Sequence, residues 1–149
     1  MGRKGAERQI VIEGSQQECF DAITDYESFP DWQRAVKDVE VLSRDGRGRG
    51  KQVAFEIDAK LRTVRYTLDY SYEEPHHVSW AYVGGDPKDV DGELVLEDGG
   101  DGVTLATYSL RIDPGMWLPG PVVSLLNEQV MQGALEDLKA RVEESAGRR

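Results

Sequence analysis

CFDAITDYESFPDWQRAVKDVEVL, residues Cys19–Leu42, contains the change of period on which the fold turns. Cys19, Phe20, Ala22, Ile23 and Tyr26 recur at helical spacing, and Ser15 with Glu18 upstream form a capping box, so a helix starts at Ser15. Pro30 blocks simple continuation and disfavours the α region for Phe29, which predicts a kink and a second short helical turn around Asp31–Arg34. From Val36 the period is two, and VKDVEVLSR (Val36–Arg44) is a strand. Between the two periods lies DYESFPDWQ (Asp25–Gln33), a connection holding three rings. Connections are usually polar because their buried backbone lacks partners, so this one is expected to fold inward over something.

Outward from there the alternation persists. RQIVIEG (Arg8–Gly14) is a β-rich run before the helix. DGRGRGK turns the chain into QVAFEIDAKL, with Val53, Phe55, Ile57, Ala59 and Leu61 on one face. TVRYTLDYSYE puts Val64, Tyr66, Leu68, Tyr70 and Tyr72 on one face and Arg65, Thr67, Asp69 and Ser71 on the other. VSWAYV, VDGELVLE and VTLATYSLRI repeat the pattern, with Val78, Trp80, Tyr82, Val90, Leu94, Leu96, Ala106, Tyr108, Leu110 and Ile112 facing inward. Six alternating runs joined by short turns imply an antiparallel meander with one covered face. After DPGMWLPGP (Asp113–Pro121) the chain reads as one helix from Val122 to about Glu143, with Val123, Leu126, Val130, Ala134, Leu138 and Val142 as its apolar stripe. At 1.5 Å per residue it is about 35 Å long, enough to cross the sheet. Gly133 within it either permits a close approach to the sheet or is a tolerated helix glycine.

The 149 residues suit one domain over 1–149 with short polar tails at about 1–6 and 145–149. Acidic residues outnumber basic ones 28 to 18, a net charge of −10 that disfavours nucleic acid and anionic membranes as partners. Cys19 is the single cysteine, so no internal disulfide forms. The polar start MGRKGAERQ and the absence of a membrane-length apolar run lead to the expectation of a cytoplasmic protein without stable membrane insertion.

One strand, two short helices, six strands and a long helix make the order of an α+β helix-grip fold: a seven-stranded curved antiparallel sheet wrapped around a C-terminal helix. In that order, in Cys19–Leu42 and in LRIDPGMWLPGPVV before the last helix, the chain resembles the START/Bet v 1-like (SRPBCC) superfamily, within its polyketide cyclase/dehydrase and coenzyme Q-binding group. The resemblance implies an elongated apolar cavity between sheet and helix, of the kind that holds lipids, sterols, polyketides or hormones. It also implies that DYESFPDWQ covers one end of the grip, with Phe29 and Trp32 turned inward.

On this frame Trp32, Phe55, Tyr66, Tyr70, Trp80 and Tyr108 are the candidate ligand-binding rings, suited to a flat apolar molecule; the same rings would also serve as core filling. Asn127 and Val130 join them from the long helix, and a buried Asn127 amide needs a ligand oxygen, a backbone group or a water. Phe29, Met116, Trp117 and Leu118 are the candidate entrance, with Trp117 either part of a lid or packed into the core. Alternation places Arg65 and Arg111 on the outer face and leaves Arg62 ambiguous. His76 and His77 fall in a turn without a third ligand, so no metal and no cofactor is expected. Cys19 reads as core, and two histidines in a turn support no nucleophilic triad. The function expected is binding of a hydrophobic small molecule. The alternatives are a metal-free polyketide aromatase/cyclase and, from the coenzyme Q-binding group, a ribosome- or protein-interaction module.

Overall fold

The structure, a computed structural model, describes residues 6–58, 63–115 and 120–147, with side chains throughout these spans except at 6, 120–127 and 145–147. Eleven elements follow one another: β1 (Ala6–Glu13), α1 (Gln16–Ile23), a 3₁₀ turn (Tyr26–Ser28), α2 (Phe29–Trp32), β2 (Val36–Arg44), β3 (Gly50–Asp58), β4 (Thr63–Glu73), β5 (His77–Gly85), β6 (Asp89–Gly100), β7 (Val103–Asp113) and α3 (Gly120–Gly147). The strands form one antiparallel sheet in the order β1-β7-β6-β5-β4-β3-β2. β1 and β2 are consecutive in the chain yet occupy opposite edges. The α1–α2 segment therefore has to run from one edge of the sheet to the other, which is why its connection carries rings instead of the usual polar residues.

Local chemistry sets the boundaries. Ser15 Oγ accepts the Glu18 amide at 3.1 Å while the Glu18 carboxylate accepts the Ser15 amide at 2.8 Å, the reciprocal cap that starts α1. Thr24 ends it, so Tyr26 belongs to the separate 3₁₀ turn and not to the first helix as its spacing suggested. The second helical segment begins at Phe29, two residues earlier than expected. Phe29 adopts α geometry (φ −52°, ψ −40°) despite the proline that follows. Its ring is anchored between Tyr26, Trp32 and Phe55, and this burial outweighs the local preference for extended backbone. His77 likewise opens β5 instead of ending the turn, with its Nε2 2.7 Å from the Glu93 carboxylate on β6.

α3 is a single helix, unbroken at Gly133. Its C-terminal half packs on β1, β7 and α1 through Met131, Leu135, Leu138 and Val142, all buried. This corrects the expected stripe: Val130 is 38% exposed, because the packed line is centred on Met131, about 100° further round the helix. A Cβ at Gly133 would meet nothing within 4 Å, so that glycine is not a point of close approach. The close approach lies at Gly14, where a Cβ would stand 2.4 Å from Val142 Cγ1. α3 also covers the β1 edge: Lys139 Nζ donates to the Val11 carbonyl at 2.8 Å, and Glu143 accepts the Glu13 amide at 2.9 Å. Unpaired backbone on that edge is thereby satisfied. Ile12, Phe20, Leu94 and Leu96 fill the space beneath, each worth about 1.5–3 kcal/mol when fully buried.

Candidate functional site

Strand alternation puts the rings of β3, β4, β5 and β7 on one face, and the 3₁₀ turn and α2 bring two more from the side. The result is a continuous belt. Trp32 meets Phe29 with ring centroids 5.2 Å apart, Phe29 meets Phe55 at 6.3 Å, and Phe55 meets Tyr66 at 5.7 Å and Tyr70 at 6.4 Å. Tyr70 continues to Trp80 at 5.9 Å, and Trp80 to Tyr108 at 5.4 Å. All six rings singled out in the sequence belong to it, and Phe29 joins them. Phe29, Phe55, Tyr70 and Trp80 are buried, whereas Trp32, Tyr66 and Tyr108 keep part of their surface. Asn127 and the entrance residues Met116, Trp117 and Leu118 lie outside the described side chains, as do Ala59, Leu61 and Arg62.

Two features hold the belt's Trp32 end. Trp32 Nε1 donates to Ser28 Oγ at 2.8 Å, and the Arg141 guanidinium of α3 lies 5.7 Å from the Trp32 ring centre. The Arg34 backbone amide and Nε both donate to Asp137 of α3, at 3.0 and 2.9 Å. Thus α2 is tied to α3 on the side where the chain crosses the sheet. Beside the belt, Tyr26 and Tyr72 form a closed polar pair: Tyr72 donates to the Gly50 carbonyl at 2.5 Å, so the Tyr26 hydroxyl donates to Tyr72 at 2.7 Å. Burial, with Tyr26 lowering it, moves the Tyr72 phenol up to about 12. Arg49 sits over the Phe20 ring at 5.0 Å and donates to Thr24 and Glu74 at 2.7 and 2.9 Å, joining α1 to the β4–β5 turn.

The belt's own phenols behave differently. Among the described residues, the hydroxyls of Tyr66, Tyr70 and Tyr108 form no hydrogen bond, and none of the three is a side-chain oxygen sealed from solvent without a partner. Burial raises the pKa of each, and the negative charge of an ionised Tyr66 or Tyr108 would raise Tyr70 further, so the three phenols are within electrostatic reach of one another. At neutral pH all three are protonated donors. The spacing Tyr66–Tyr70 on one strand and the packing of Tyr108 on Trp80 explain the convergence; what the sequence did not signal was that these hydroxyls would form no hydrogen bond to the described residues.

Gly92 was also missed. It pairs in register with Trp80, and a Cβ there would lie 2.4 Å from the Ser109 carbonyl oxygen and 2.8 Å from Trp80 Cζ2. The indole therefore rests on the backbone of β6, a position only glycine leaves open. The register also sets Arg8, with an exposed side chain, opposite Tyr108.

The other candidates fall away from the belt. Arg65 and Arg111 are on the outer face as expected, Arg65 beside Glu56 at 3.6 Å and Arg111 paired with Asp89 and with Asp91. A groove of about 390 Å³ is lined by Ala54, Thr67 and Gly84, by the carboxylates of Asp38, Glu40, Glu56 and Asp86, and by Phe55 and Tyr66 of the belt itself. Cys19 is buried, and burial lifts its thiol to about 11, which makes it a poor nucleophile at neutral pH. Among the described residues no cluster of three or more His, Cys, Asp or Glu could hold a metal ion, and no helix is long and apolar enough to cross a membrane.

A seven-stranded antiparallel sheet with one long helix against it, short helices crossing at one end and rings along the inner face define the helix-grip class. The chain belongs to the polyketide cyclase / dehydrase and lipid transport family, whose model matches residues 4–143. The structure is similar to a START superfamily protein of Mycobacterium smegmatis, at 19% identity and a TM-score of 0.89, covering 95% of this chain and 99% of that one. It is similar to a Thermus thermophilus protein at 17% identity and a TM-score of 0.81, covering 97% and 100%. A Streptomyces aromatase/cyclase shares the fold at 13% identity and a TM-score of 0.72, covering 97% and 98%. At these identities the likeness concerns the fold alone. No curated protein matches the sequence.

Proposed function

We propose that the protein binds a hydrophobic, ring-containing small molecule against the inner face of its sheet, beneath α3. The observation that carries this reading is the unbroken belt from Trp32 to Tyr108. Large flat faces with a few hydroxyls suit a lipid, polyketide or isoprenoid-like ligand. Trp32, Phe55, Tyr66, Tyr70, Trp80 and Tyr108 form the wall, Asn127 and Val130 contribute from α3, and Phe29, Met116, Trp117 and Leu118 form the entrance. The partial exposure of Val130 supports its place here, since a helix residue off the packed line is free to meet a ligand.

The test is titration with the neutral fluorescent probe N-phenyl-1-naphthylamine. About one site per chain is expected, with Trp80→Ala and Tyr66→Ala weakening binding more than Leu135→Ala. All three variants are destabilised, by about 2–5 kcal/mol for large-to-alanine changes in a core, so affinities are compared at equal folded fraction. Absence of probe binding by the folded wild type refutes the reading.

An aromatase/cyclase activity is the second reading. It is supported by the family and by three protonated phenols able to donate to a carbonyl. Formation of an aromatic product from a poly-β-ketone chain, lost in Tyr70→Phe, is its test.

A further inference from the structure

A cationic side chain that gives up part of its contact with water usually gains a carboxylate in return, because burial penalises the charge. Among the described residues Arg49, Lys51, Arg111, Lys139 and Arg141 are the half-buried cations. Arg49 lies 2.9 Å from Glu74, Lys51 lies 2.8 Å from Asp69, Arg111 pairs with Asp89, and Lys139 pairs with Glu143. Arg141 differs. Its guanidinium forms no ion pair or hydrogen bond with a described residue, and it rests on the Trp32 ring at one end of the belt. The chain has 28 acidic residues, so a shortage of carboxylates is not the cause. The cause is local. Asp137 stands four residues before Arg141 on α3, the spacing at which Asp and Arg pair along a helix. That carboxylate is taken by α2 instead: it accepts from the Arg34 amide and Nε and lies 2.8 Å from Nη2. Trp32 holds the cation by its face and offers it no acceptor oxygen. No Arg141 nitrogen is sealed from solvent, so its donors stay open to a molecule that reaches the Trp32 end of the belt.

We infer that Arg141 of α3 anchors an acidic head group, so that the protein selects an amphiphile with an apolar body along the belt and an anionic group, a carboxylate, sulfonate or phosphate ester, at the Trp32 end. This rests on the proposed binding of a hydrophobic molecule and narrows its chemistry. The planar guanidinium fork matches such oxyanions with parallel N–H bonds, and a charge-assisted bond of this kind is stronger than one between neutral groups. The net charge of −10 repels anions from the molecule as a whole, so a preference for an anionic ligand requires a local cation that the chain has not already neutralised. At the belt Arg141 is that cation, because the Arg34–Asp137 contact diverts its helical partner.

The experiment compares two fluorescent probes of one skeleton: neutral N-phenyl-1-naphthylamine and its sulfonate, 1-anilinonaphthalene-8-sulfonate. Both are titrated into wild type, into Arg141→Met, which keeps an unbranched stem against Trp32, and into Arg47→Gln. Arg47 is an exposed residue of the β2–β3 turn, and its loss changes the net charge by the same amount. All titrations are compared at matched folded fraction. The ratio of the two affinities isolates the charge from any change of shape at the ring. Wild type should prefer the sulfonate by about tenfold, the effect of one charge-assisted hydrogen bond at the lower end of its range. The preference should fall to unity or below in Arg141→Met and persist in Arg47→Gln. Equal or weaker binding of the sulfonate by wild type, a preference untouched by Arg141→Met, or an equal fall in Arg47→Gln overturns the inference while leaving apolar ligand binding intact. Failure of both probes to bind folded wild type overturns the binding function itself, and the inference with it.

Discussion

Removing one oxygen from Tyr72 and one from Tyr70 should have opposite consequences, although the rings stack at 6.2 Å on the same strand. In Tyr72→Phe two hydrogen bonds vanish: the one donated to the Gly50 carbonyl and the one accepted from Tyr26. Tyr26 is 3% exposed, so its hydroxyl is left without a partner in a dry environment. A net hydrogen bond is worth about 1 kcal/mol, and an abandoned buried group costs about 1–3 kcal/mol. Together the loss should be about 3 kcal/mol. For a chain of this length that lowers Tm by roughly 6–12 °C. Tyr70→Phe removes a hydroxyl that has no partner among the described residues, so nothing is broken and the change should be within about 0.5 kcal/mol of zero or slightly stabilising. Urea unfolding followed by tryptophan fluorescence measures both, with an unchanged m-value confirming that the native state is compared with the same denatured state. Destabilisation of Tyr70→Phe comparable with that of Tyr72→Phe would show that the Tyr70 hydroxyl has a structural partner, and the contrast drawn between the two tyrosines would be wrong.

Two further outcomes follow from the same geometry. Folding raises the pKa of Tyr26, Tyr66, Tyr70, Tyr72 and Tyr108 above the value near 10 of an unfolded tyrosine, so above about pH 10 the unfolded chain loses protons first and stability falls as pH rises. Each phenol adds a slope of about 1.4 kcal/mol per pH unit, and the urea midpoint should hold steady up to about pH 9 and then drop, in step with phenolate absorbance; a midpoint insensitive to alkali would contradict the burial assigned to these rings. Gly92→Ala should cost about 1–3 kcal/mol by overpacking and should weaken probe binding at equal folded fraction, because the new methyl meets Trp80 and the Ser109 carbonyl. Wild-type stability and affinity in that variant would mean that the indole does not rest on β6.

The fold was readable because its signals are local and repeated. Period-two alternation over β2, β4 and β7 marks the strands almost residue by residue, and the Ser15–Glu18 box marks the start of α1. Where the reading slipped, a distant contact decided the outcome. Phe29 is helical because three rings hold it, and none of that is visible in the dipeptide Phe29–Pro30. Val130 and Met131 are both apolar, and a helix of 3.6 residues per turn accepts either as the centre of its stripe. The line chosen depends on where β1, β7 and α1 lie against α3, which no spacing within α3 encodes.

The candidate site was readable only as an inventory. Alternation showed that Phe55, Tyr66, Tyr70, Trp80 and Tyr108 share a face, and the inward-folding connection supplied Trp32. Composition could not separate a tyrosine whose hydroxyl bonds to its neighbours from one whose hydroxyl does not. Tyr70 and Tyr72 are identical residues on the same face of one strand, two positions apart. The difference arises from what lies beyond each hydroxyl. Tyr72 points to Gly50 at the start of β3 and donates to its carbonyl, and a Cβ on that glycine would stand 3.0 Å from the Tyr26 ring that shares the pair. Tyr70 packs its ring between Phe55 and Trp80, and its hydroxyl forms no hydrogen bond to a described residue. A substitution that introduced an acceptor next to Tyr70 should therefore make the wall more stable, since the hydroxyl forms no hydrogen bond to a described residue that the new one would replace.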